Sequence, residues 1–452
     1  MRILLVQPYT FTIRGLPQAP LALMYLGGYA EQRGHTVKLL DHNFETDARG
    51  VIDEFKPDAV GVTSLTGRML LDGLAISSYI KRSFPNAKII WGGVHASVLP
   101  ENTLEEDPID FVVIGEGEET FVELLDAIEH GKDYATIKGI GFKRDEKTII
   151  NERRPMIKDL DATPLIPWRL INTKRYLRHE TLLITSRGCP HRCAFCYNEQ
   201  FNFRTWRGMS PERVKREIDH ALSFHPIRRF RFDDDNFCVN KKRFHGILDV
   251  LPLDVPLYFE SRVEYLDEEF CRHVAQFKDA FVFLGLESGD DDDLKRMQKD
   301  LTVEKIRHGY DLINKYKIKT SGSFVIGAPG QTRKQVEKTL AMIDEIKPTR
   351  PSCCIFVPLP GSIFTQQLMR EGKLEDMKTM ADWATFTNPE YSSAHQYGEL
   401  THKEINAIYS RYWWKFVWAF ARNGRFGWMY LGFQNVIINY GRLLIKRLRK
   451  DL

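Results

Sequence analysis

The sequence predicts an α/β protein made of two successive α/β units followed by a helical C-terminal region. Three observations predict it. Short apolar runs rich in β-branched residues alternate with helix-length amphipathic segments through residues 1–150, and strand–helix units resume over 179–370. Between them, "PMIKDLDATPLIPW" (155–168) is proline-rich without helical period, so 151–178 reads as a linker. From 371 to 452 the strand pattern gives way to an aromatic and basic helical one.

In the first unit the strand runs are "RILLVQP" (2–8), "TVKLLD" (36–41), "AVGVTSL" (59–65), "KIIWGG" (88–93) and "FVVIGE" (111–116). Continuous apolar strands between amphipathic helices form a parallel sheet covered on both faces, and ligands bind at the carboxyl ends of its strands. Those ends carry Thr63-Ser64-Leu65, Gly92-Gly93 followed by His95, and Gly115-Glu116-Gly117-Glu118. Paired glycines permit a turn or let backbone approach a ligand. Three such ends in succession point to a ligand cleft. Residues 139–155 alternate around a charged turn and read as a surface hairpin.

In the second unit, "TLLITSRG" (181–188) reads as a strand delivering Cys189, Cys193 and Cys196 on one loop. Three readings are open for them: zinc, with a fourth ligand from Cys238, Cys271, Cys353 or Cys354; buried structural cysteines; or a [4Fe–4S] cluster on three thiolates with one iron free. Further strands are expected in 228–237, 257–266, 281–289, 320–332 and 352–362, as in a partial β/α barrel whose site lies at the strand carboxyl ends. Asp233-Asp234-Asp235 would repel one another if buried together, so most are expected to be solvated or capping.

The bulk numbers agree with a multidomain globular protein. The chain has 452 residues, 43% hydrophobic and 27% charged, with a formal net charge of +4 that implies no global nucleic-acid field. Seven cysteines, none before Cys189, do not form a secreted disulfide framework, and a reducing cytoplasm is expected. "MRILLVQPYT" reads as a strand rather than a signal peptide, and no stretch approaches the roughly 20 apolar residues that span a bilayer.

On these residues the first unit resembles the cobalamin-binding Rossmann-like domain. Thr63-x-Leu65 stands for that family's S-x-L, and Gly92-Gly93 matches its G-G. Its D-x-H-x-x-G after the first strand is absent, and His42 has neither the spacing nor the place. The resemblance thus implies cobalamin held base-off in a cleft that includes Thr63, Ser64, Leu65, Gly92, Gly93, His95 and Glu116, with a residue of 9–18, such as Tyr9, facing the cobalt.

C-x₃-C-x₂-C after a barrel strand resembles the radical S-adenosylmethionine superfamily. That resemblance implies a [4Fe–4S] cluster on Cys189, Cys193 and Cys196, whose open iron chelates S-adenosylmethionine and yields a 5′-deoxyadenosyl radical. It places Phe195 beside the adenine and Ser261, Arg262, Glu287 and Ser288 on the co-substrate. Asp234 lies in an F-x-D-D-x-F run, here Phe232 to Phe237, that is frequent in cobalamin-dependent members. Gln331 replaces a glutamate common in relatives.

Together the resemblances imply a class B-like architecture: a Rossmann-like domain (1–150), a linker (151–178), a partial (β/α)6 TIM-type radical barrel (179–370) and a small helical C-terminal region (371–452). They imply methyl transfer to an unactivated carbon of a hydrophobic or lipid-like substrate, with an external electron donor of the flavodoxin or ferredoxin type and no nucleic acid. Alternatives are cyclisation or rearrangement without methyl transfer, as in the anaerobic porphyrin-ring cyclase, and a non-catalytic cobalamin or iron–sulfur sensor. Methylthiotransferases carry three more cysteines in their N-terminal domain, which this chain lacks. Residues 405–450 hold Trp413, Trp414, Trp418 and Trp428 and end in Arg442, Lys446, Arg447, Arg449 and Lys450. They read either as helices closing the barrel or as a peripheral membrane surface.

Overall fold

The computed structural model describes residues 1–10, 18–178, 180–375, 377–385 and 396–422, with side chains described as far as 412. The first unit contains β1 (Arg2–Gln7), β2 (Thr36–Asp41), β3 (Ala59–Thr63), β4 (Lys88–Gly92), β5 (Phe111–Val113), β6 (Ile140–Arg144) and β7 (Lys147–Ile150). They form one sheet in the order β2-β1-β3-β4-β5-β6-β7. The first five are parallel, and β6 and β7 are antiparallel additions at the β5 edge. The expected hairpin therefore forms with its turn and β7 at the surface, and its inner strand β6 extends the sheet. Ile140 and Phe142 are buried, and pairing covers the β5 edge that would otherwise be open.

Side-chain alternation along β1 shows why the sheet is covered twice. Ile3 and Leu5 pack with the helices Leu21–Gln32 and Glu118–His130, whereas Leu4 and Val6 pack with Ala48–Phe55 and Met69–Ser83. A strand with both faces buried must be apolar throughout, as the sequence pattern requires.

The predicted strand 181–188 is two strands. β8 (Thr181–Leu183) belongs to the barrel, while β9 (Ser186–Gly188) turns away to pair antiparallel with β10 (Trp206–Gly208). The break falls at Thr185, whose backbone N–H and hydroxyl both donate to Asp234, at 2.6 and 2.7 Å. The barrel continues with β11 (Phe230–Phe232), β12 (Leu257–Ser261), β13 (Ala280–Glu287), β14 (Lys319–Ile326) and β15 (Arg350–Ile355). These five and β8 form an open six-stranded parallel sheet in the order β15-β14-β13-β12-β11-β8.

On β11 and β12, Phe230, Phe232, Leu257 and Phe259 pack outward against helical residues such as Phe244 and Ile247. The alternate residues face the barrel interior. At the amino ends of the strands these interior groups stack: Arg231 lies over Tyr258 (4.9 Å), Tyr258 is parallel to Phe281 (5.9 Å), and Arg350 caps the Phe281 ring (3.6 Å).

The segment 151–178 is not a free spacer. Leu160, Ile166 and Trp168 are buried in one core with Leu21, Met24 and Tyr25 of the first unit and Val214 and Ile218 of the second. The helix His402–Arg422 begins against β15, where Ile405 and Tyr412 are buried, as the barrel-closing reading of the tail expects for that part. The side chains of Trp413, Trp414 and Trp418, and everything from 423 onward including Trp428 and the basic cluster, lie outside the described residues. Among the described residues no helix is long and apolar enough to cross a membrane.

Gln331 has a use for its amide that a glutamate would lose. It is fully buried; its Oε1 accepts from Gly327 N (2.7 Å), and its Nε2 donates to Asp293 Oδ2 (2.6 Å) and to the Val325 carbonyl. Gln331→Glu would set a second carboxylate against buried Asp293, and should lower unfolding free energy by on the order of 3 kcal/mol at pH 7. The introduced carboxyl, buried against Asp293, would hold its proton more tightly in the folded than in the unfolded state. The deficit should therefore shrink as pH falls and a proton restores the donor, which denaturant titrations at pH 7 and pH 5 will show.

Candidate functional site

The cysteine loop is held from several directions before its chemistry is considered. Asp234, 1% exposed, accepts from Thr185 and from Ser186 Oγ (2.7 Å) and has Arg243 at 4.0 Å. Asp235 accepts from Gly188 N at 2.9 Å, one residue before Cys189. Gly188 has φ +85°, and a Cβ there would lie 2.1 Å from the Thr205 carbonyl, so the crossing of β9 and β10 admits only glycine. Farther along, Ala194 N donates to Met297 O and Ala194 O accepts from Phe364 N, which ties the loop to the barrel. Phe195 packs against the core containing Ala96, Met297 and Phe356.

Cys189, Cys193 and Cys196 are partly exposed, unlike Cys238, Cys271 and Cys353, which are buried. All three accept N–H donors: Cys189 from Asn236 Nδ2 (3.7 Å) and the His191 amide, Cys193 from Arg262 Nη1 (3.3 Å) and Cys196 from the Asn198 amide (3.4 Å). Burial pushes the Cys189 thiol up and the Cys196 thiol to about 12, so iron loading here must release protons. Among the described residues no three His, Cys, Asp or Glu side chains converge on a position for one ion. A cluster needs thiolates spread around a larger body, and three sulfurs on one loop with ready donors fit it better than zinc.

At the carboxyl ends of β3 and β4 the residues divide into framework and lining. Ser64 is framework: its hydroxyl donates to Gly92 O (2.7 Å) and accepts from Ala96 N (3.2 Å). Gly93, φ +90°, lets the two loops touch, since a Cβ would meet Ser64 O at 2.7 Å. His95 is fully buried, hydrogen-bonded through Nδ1 to Thr66 Oγ1 (3.0 Å), and burial lowers its pKa to about 4, so it stays neutral. Thr63 and Gly92 are partly exposed, and Leu65 is 51% exposed, a large apolar side chain left open at the loop tip. Tyr9 is anchored by its backbone N–H to Asp72 Oδ2 (2.8 Å), while 11–17, most of the segment expected to face the cobalt, lie outside the described residues.

Glu116 is not aimed at that cleft. Its carboxylate accepts from Arg187 Nη1 (3.0 Å), Arg207 Nη1 (2.8 Å) and Ile157 N (2.7 Å), while Arg187 also pairs with Glu118 (2.6 Å). Burial works against the charge on Glu116, but Arg207 and Arg187 outweigh it and hold the carboxyl below its usual range. With Arg153, which donates to both Ser97 O (3.2 Å) and Gln200 O (3.4 Å), this cluster ties the first unit to β9, β10 and the helix Asn198–Asn202, the elements that flank the cysteine loop.

The remaining expected residues also separate. Glu287 ends β13 at φ +67°, a strained position for a non-glycine residue, beside a register shift, and pairs with buried Lys299 (2.8 Å). Ser288 turns outward to Thr339 Oγ1 (3.2 Å), and Ser261 Oγ donates to the Arg262 carbonyl (3.3 Å), so both serve the framework. Arg262 uses all three guanidinium nitrogens, on Glu264, Cys193 and the Lys299 carbonyl. Asn236, Glu264, Lys299, Arg187 and Arg207 were not singled out from sequence. For Arg187 the available signal was a charged residue two positions before the first cysteine.

A B12 binding domain model matches residues 13–125, and a Radical SAM superfamily model matches residues 183–343. An uncharacterised methyltransferase of Pyrococcus horikoshii is 30% identical over 432 residues, spanning 91% of this chain and 93% of that protein. The chain belongs to the cobalamin-dependent radical S-adenosylmethionine enzymes. An anaerobic magnesium-protoporphyrin IX monomethyl ester cyclase of Cereibacter sphaeroides is 27% identical over 381 residues, 79% of this chain and 61% of that protein. Among solved structures, the radical S-adenosylmethionine methyltransferase TsrM from Kitasatospora setae, bound to tryptophan and a co-substrate analogue, shares the fold at a TM-score of 0.71 and 21% identity, over 82% of this chain and 76% of that one. OxsB, with aqua-cobalamin and S-adenosylmethionine bound, does so at 0.70 and 18%, over 83% and 62%.

In this radical S-adenosylmethionine enzyme, Glu116→Gln would leave Arg207 buried without its counter-charge. It should lower the unfolding free energy by about 3 kcal/mol at neutral pH. Because the Glu116 pKa is depressed, the wild-type advantage should persist at neutral pH and disappear on acidification through the range below an ordinary carboxylate. Denaturant midpoints across pH will check both statements.

Proposed function

We propose that the protein is a radical methyltransferase acting at an unactivated carbon of a hydrophobic or lipid-like substrate, with Cys189, Cys193 and Cys196 holding the [4Fe–4S] cluster. Thr63, Leu65 and Gly92-Gly93 line the cobalamin side, with Ser64 and His95 behind them, and Phe195, Arg262 and Glu287 surround the co-substrate position. One observation carries the reading: segments that follow β4 and β5 of the first unit are clamped by Arg153 and by Glu116 with Arg187 to the helix and the strand that flank the cysteine loop. When bound, the cluster would supply the electron that cleaves one S-adenosylmethionine to methionine and a hydrogen-abstracting radical, and cobalamin would relay a methyl group taken from a second S-adenosylmethionine, which leaves as S-adenosylhomocysteine.

The chain's own residues position these groups. Asp234 and Asp235 fix where the cysteine loop leaves β9, and neutral His95 props the loop that carries Leu65. Tyr258 and Phe281 give the barrel interior an aromatic floor suited to an apolar substrate, with Arg231 and Arg350 adding charge at its edge. Methyl transfer is favoured over cyclisation because the methyltransferase relative matches over nearly its whole length.

Replacing any one of Cys189, Cys193 and Cys196 by alanine should abolish the cluster's visible absorbance together with 5′-deoxyadenosine formation. An intact cluster in the triple variant would refute the assignment. A second measurement addresses the reaction. Incubated with a lipid extract from a strain lacking the gene, the enzyme should form S-adenosylhomocysteine and 5′-deoxyadenosine in comparable amounts and make one extract component heavier by a methylene. 5′-Deoxyadenosine without S-adenosylhomocysteine would favour cyclisation.

A further inference from the structure

The three sulfurs receive three chemically different donors. Cys196 has a backbone amide, Cys189 a neutral side-chain amide beside the His191 backbone amide, and Cys193 a guanidinium. Only the third brings a formal charge. Arg262 is almost wholly buried, so its charge is poorly screened by water. It is also immobile, because Nε is bonded to Glu264 and Nη2 to the Lys299 carbonyl, leaving Nη1 directed at Cys193. Glu264 is itself largely buried, and its Oε2 has no partner, so its negative charge is spent almost entirely against Arg262.

Asn236 is fixed in a similar way. It is 2% exposed, its backbone carbonyl accepts from Trp206 Nε1 (3.0 Å), and its side-chain Nδ2 reaches both Cys189 Sγ and the Tyr265 hydroxyl (3.5 Å), which in turn contacts His191 Nε2 (2.9 Å). The Arg262 guanidinium is thus held toward its sulfur by Glu264 and the Lys299 carbonyl, and the Asn236 amide by burial and the Tyr265 hydroxyl.

Adding an electron to an iron–sulfur cluster makes it more negative, so N–H donors and positive charge at its thiolates stabilise the reduced form and raise the reduction potential. We propose that Arg262 and Asn236 set the reduction potential of the cluster, Arg262 by charge and Asn236 by a neutral hydrogen bond, with Glu264 trimming the effect of Arg262. The inference rests on the reading of Cys189, Cys193 and Cys196 as cluster ligands. The step concerned is a one-electron reduction by an external reductant, from the 2+ to the 1+ cluster, with all three thiolates retained and no proton or leaving group involved. Arg262 thus acts on the cluster in the absence of co-substrate, a role distinct from contacting S-adenosylmethionine.

The charges predict shifts of opposite sign, and that is the test. Full-length protein reconstituted with iron and sulfide is titrated with dithionite without S-adenosylmethionine, following the reduced cluster by electron paramagnetic resonance at known solution potential, with iron and sulfide content as the loading control. In Arg262→Gln the reduced-to-oxidised ratio at the wild-type midpoint should fall by at least about tenfold, equivalent to about 59 mV for one electron. Asn236→Ala should move it the same way by less. Glu264→Gln, which uncovers the Arg262 charge, should move it the other way. Damage to the loop alone would not produce opposite signs. Fully loaded variants with midpoints within about threefold of wild type in that ratio would overturn the proposal. So would shifts of one sign in Arg262→Gln and Glu264→Gln, or loss of the cluster from all three variants, which would make these residues scaffold. Arg262→Gln protein with an unchanged midpoint but weakened S-adenosylmethionine binding would return Arg262 to a co-substrate role and likewise overturn it. If the wild-type chain itself takes up no cluster, the ligand assignment fails instead.

Discussion

A single carboxylate, Glu116, sits between Arg187 and Arg207 and also caps the Ile157 amide. Those partners belong to the strand that enters the cysteine loop, the strand paired with it, and the segment joining the two units. Burying such charges costs several kcal/mol of hydration per ion, which their attraction and hydrogen bonds offset only when the geometry is good. The value of the cluster is therefore mainly one of register. A sliding of the two units would strand at least one guanidinium away from water and from its acid. Because β9 carries both Arg187 and the cysteine loop, the constraint that fixes the units also fixes the loop against the open ends of β3 and β4.

The apolar core adds area but not direction. Trp168, Ile166 and Leu160 fill the seam between Tyr25 and Ile218, making the connecting segment part of the interior. Hydrophobic contacts of this kind tolerate small displacements, whereas the Glu116 cluster and the Arg153 bridge do not. Below the seam, buried Arg213 pairs with Glu217, which also accepts from Ile166 N (3.2 Å). Even the proline-rich connection is thus pinned by charge.

Strand positions and the cysteine motif were legible in the sequence because both are local signals: β-branched runs of five or six residues and a fixed ligand spacing. What stayed hidden was the direction of polar side chains. Ser64, Asp234 and Ser288 stand where ligand contacts were expected, yet spend their hydrogen bonds on framework. Asp234 bonds a residue 49 positions away, and Glu116 bonds partners 71 and 91 positions away. No local pattern reports such pairings. The break of 181–188 into two strands was invisible for the same reason, since the acid that interrupts it comes from the next strand's end. Gln331 illustrates the converse. Its departure from the family's glutamate was visible at once, but only the neighbouring Asp293 explains why an amide suits that position.

The stacked row of Arg231, Tyr258, Phe281 and Arg350 lies at the amino ends of four of the barrel's strands, and Arg231 is further tied to Glu180 and Asp233. That row lines the amino-end side of the sheet, opposite the strand ends near which the cysteine loop stands. Each ring in the row meets a guanidinium on one side and its neighbouring ring on the other, so truncating either Tyr258 or Phe281 would strip a flanking arginine of its aromatic face as well as opening a gap between the strands.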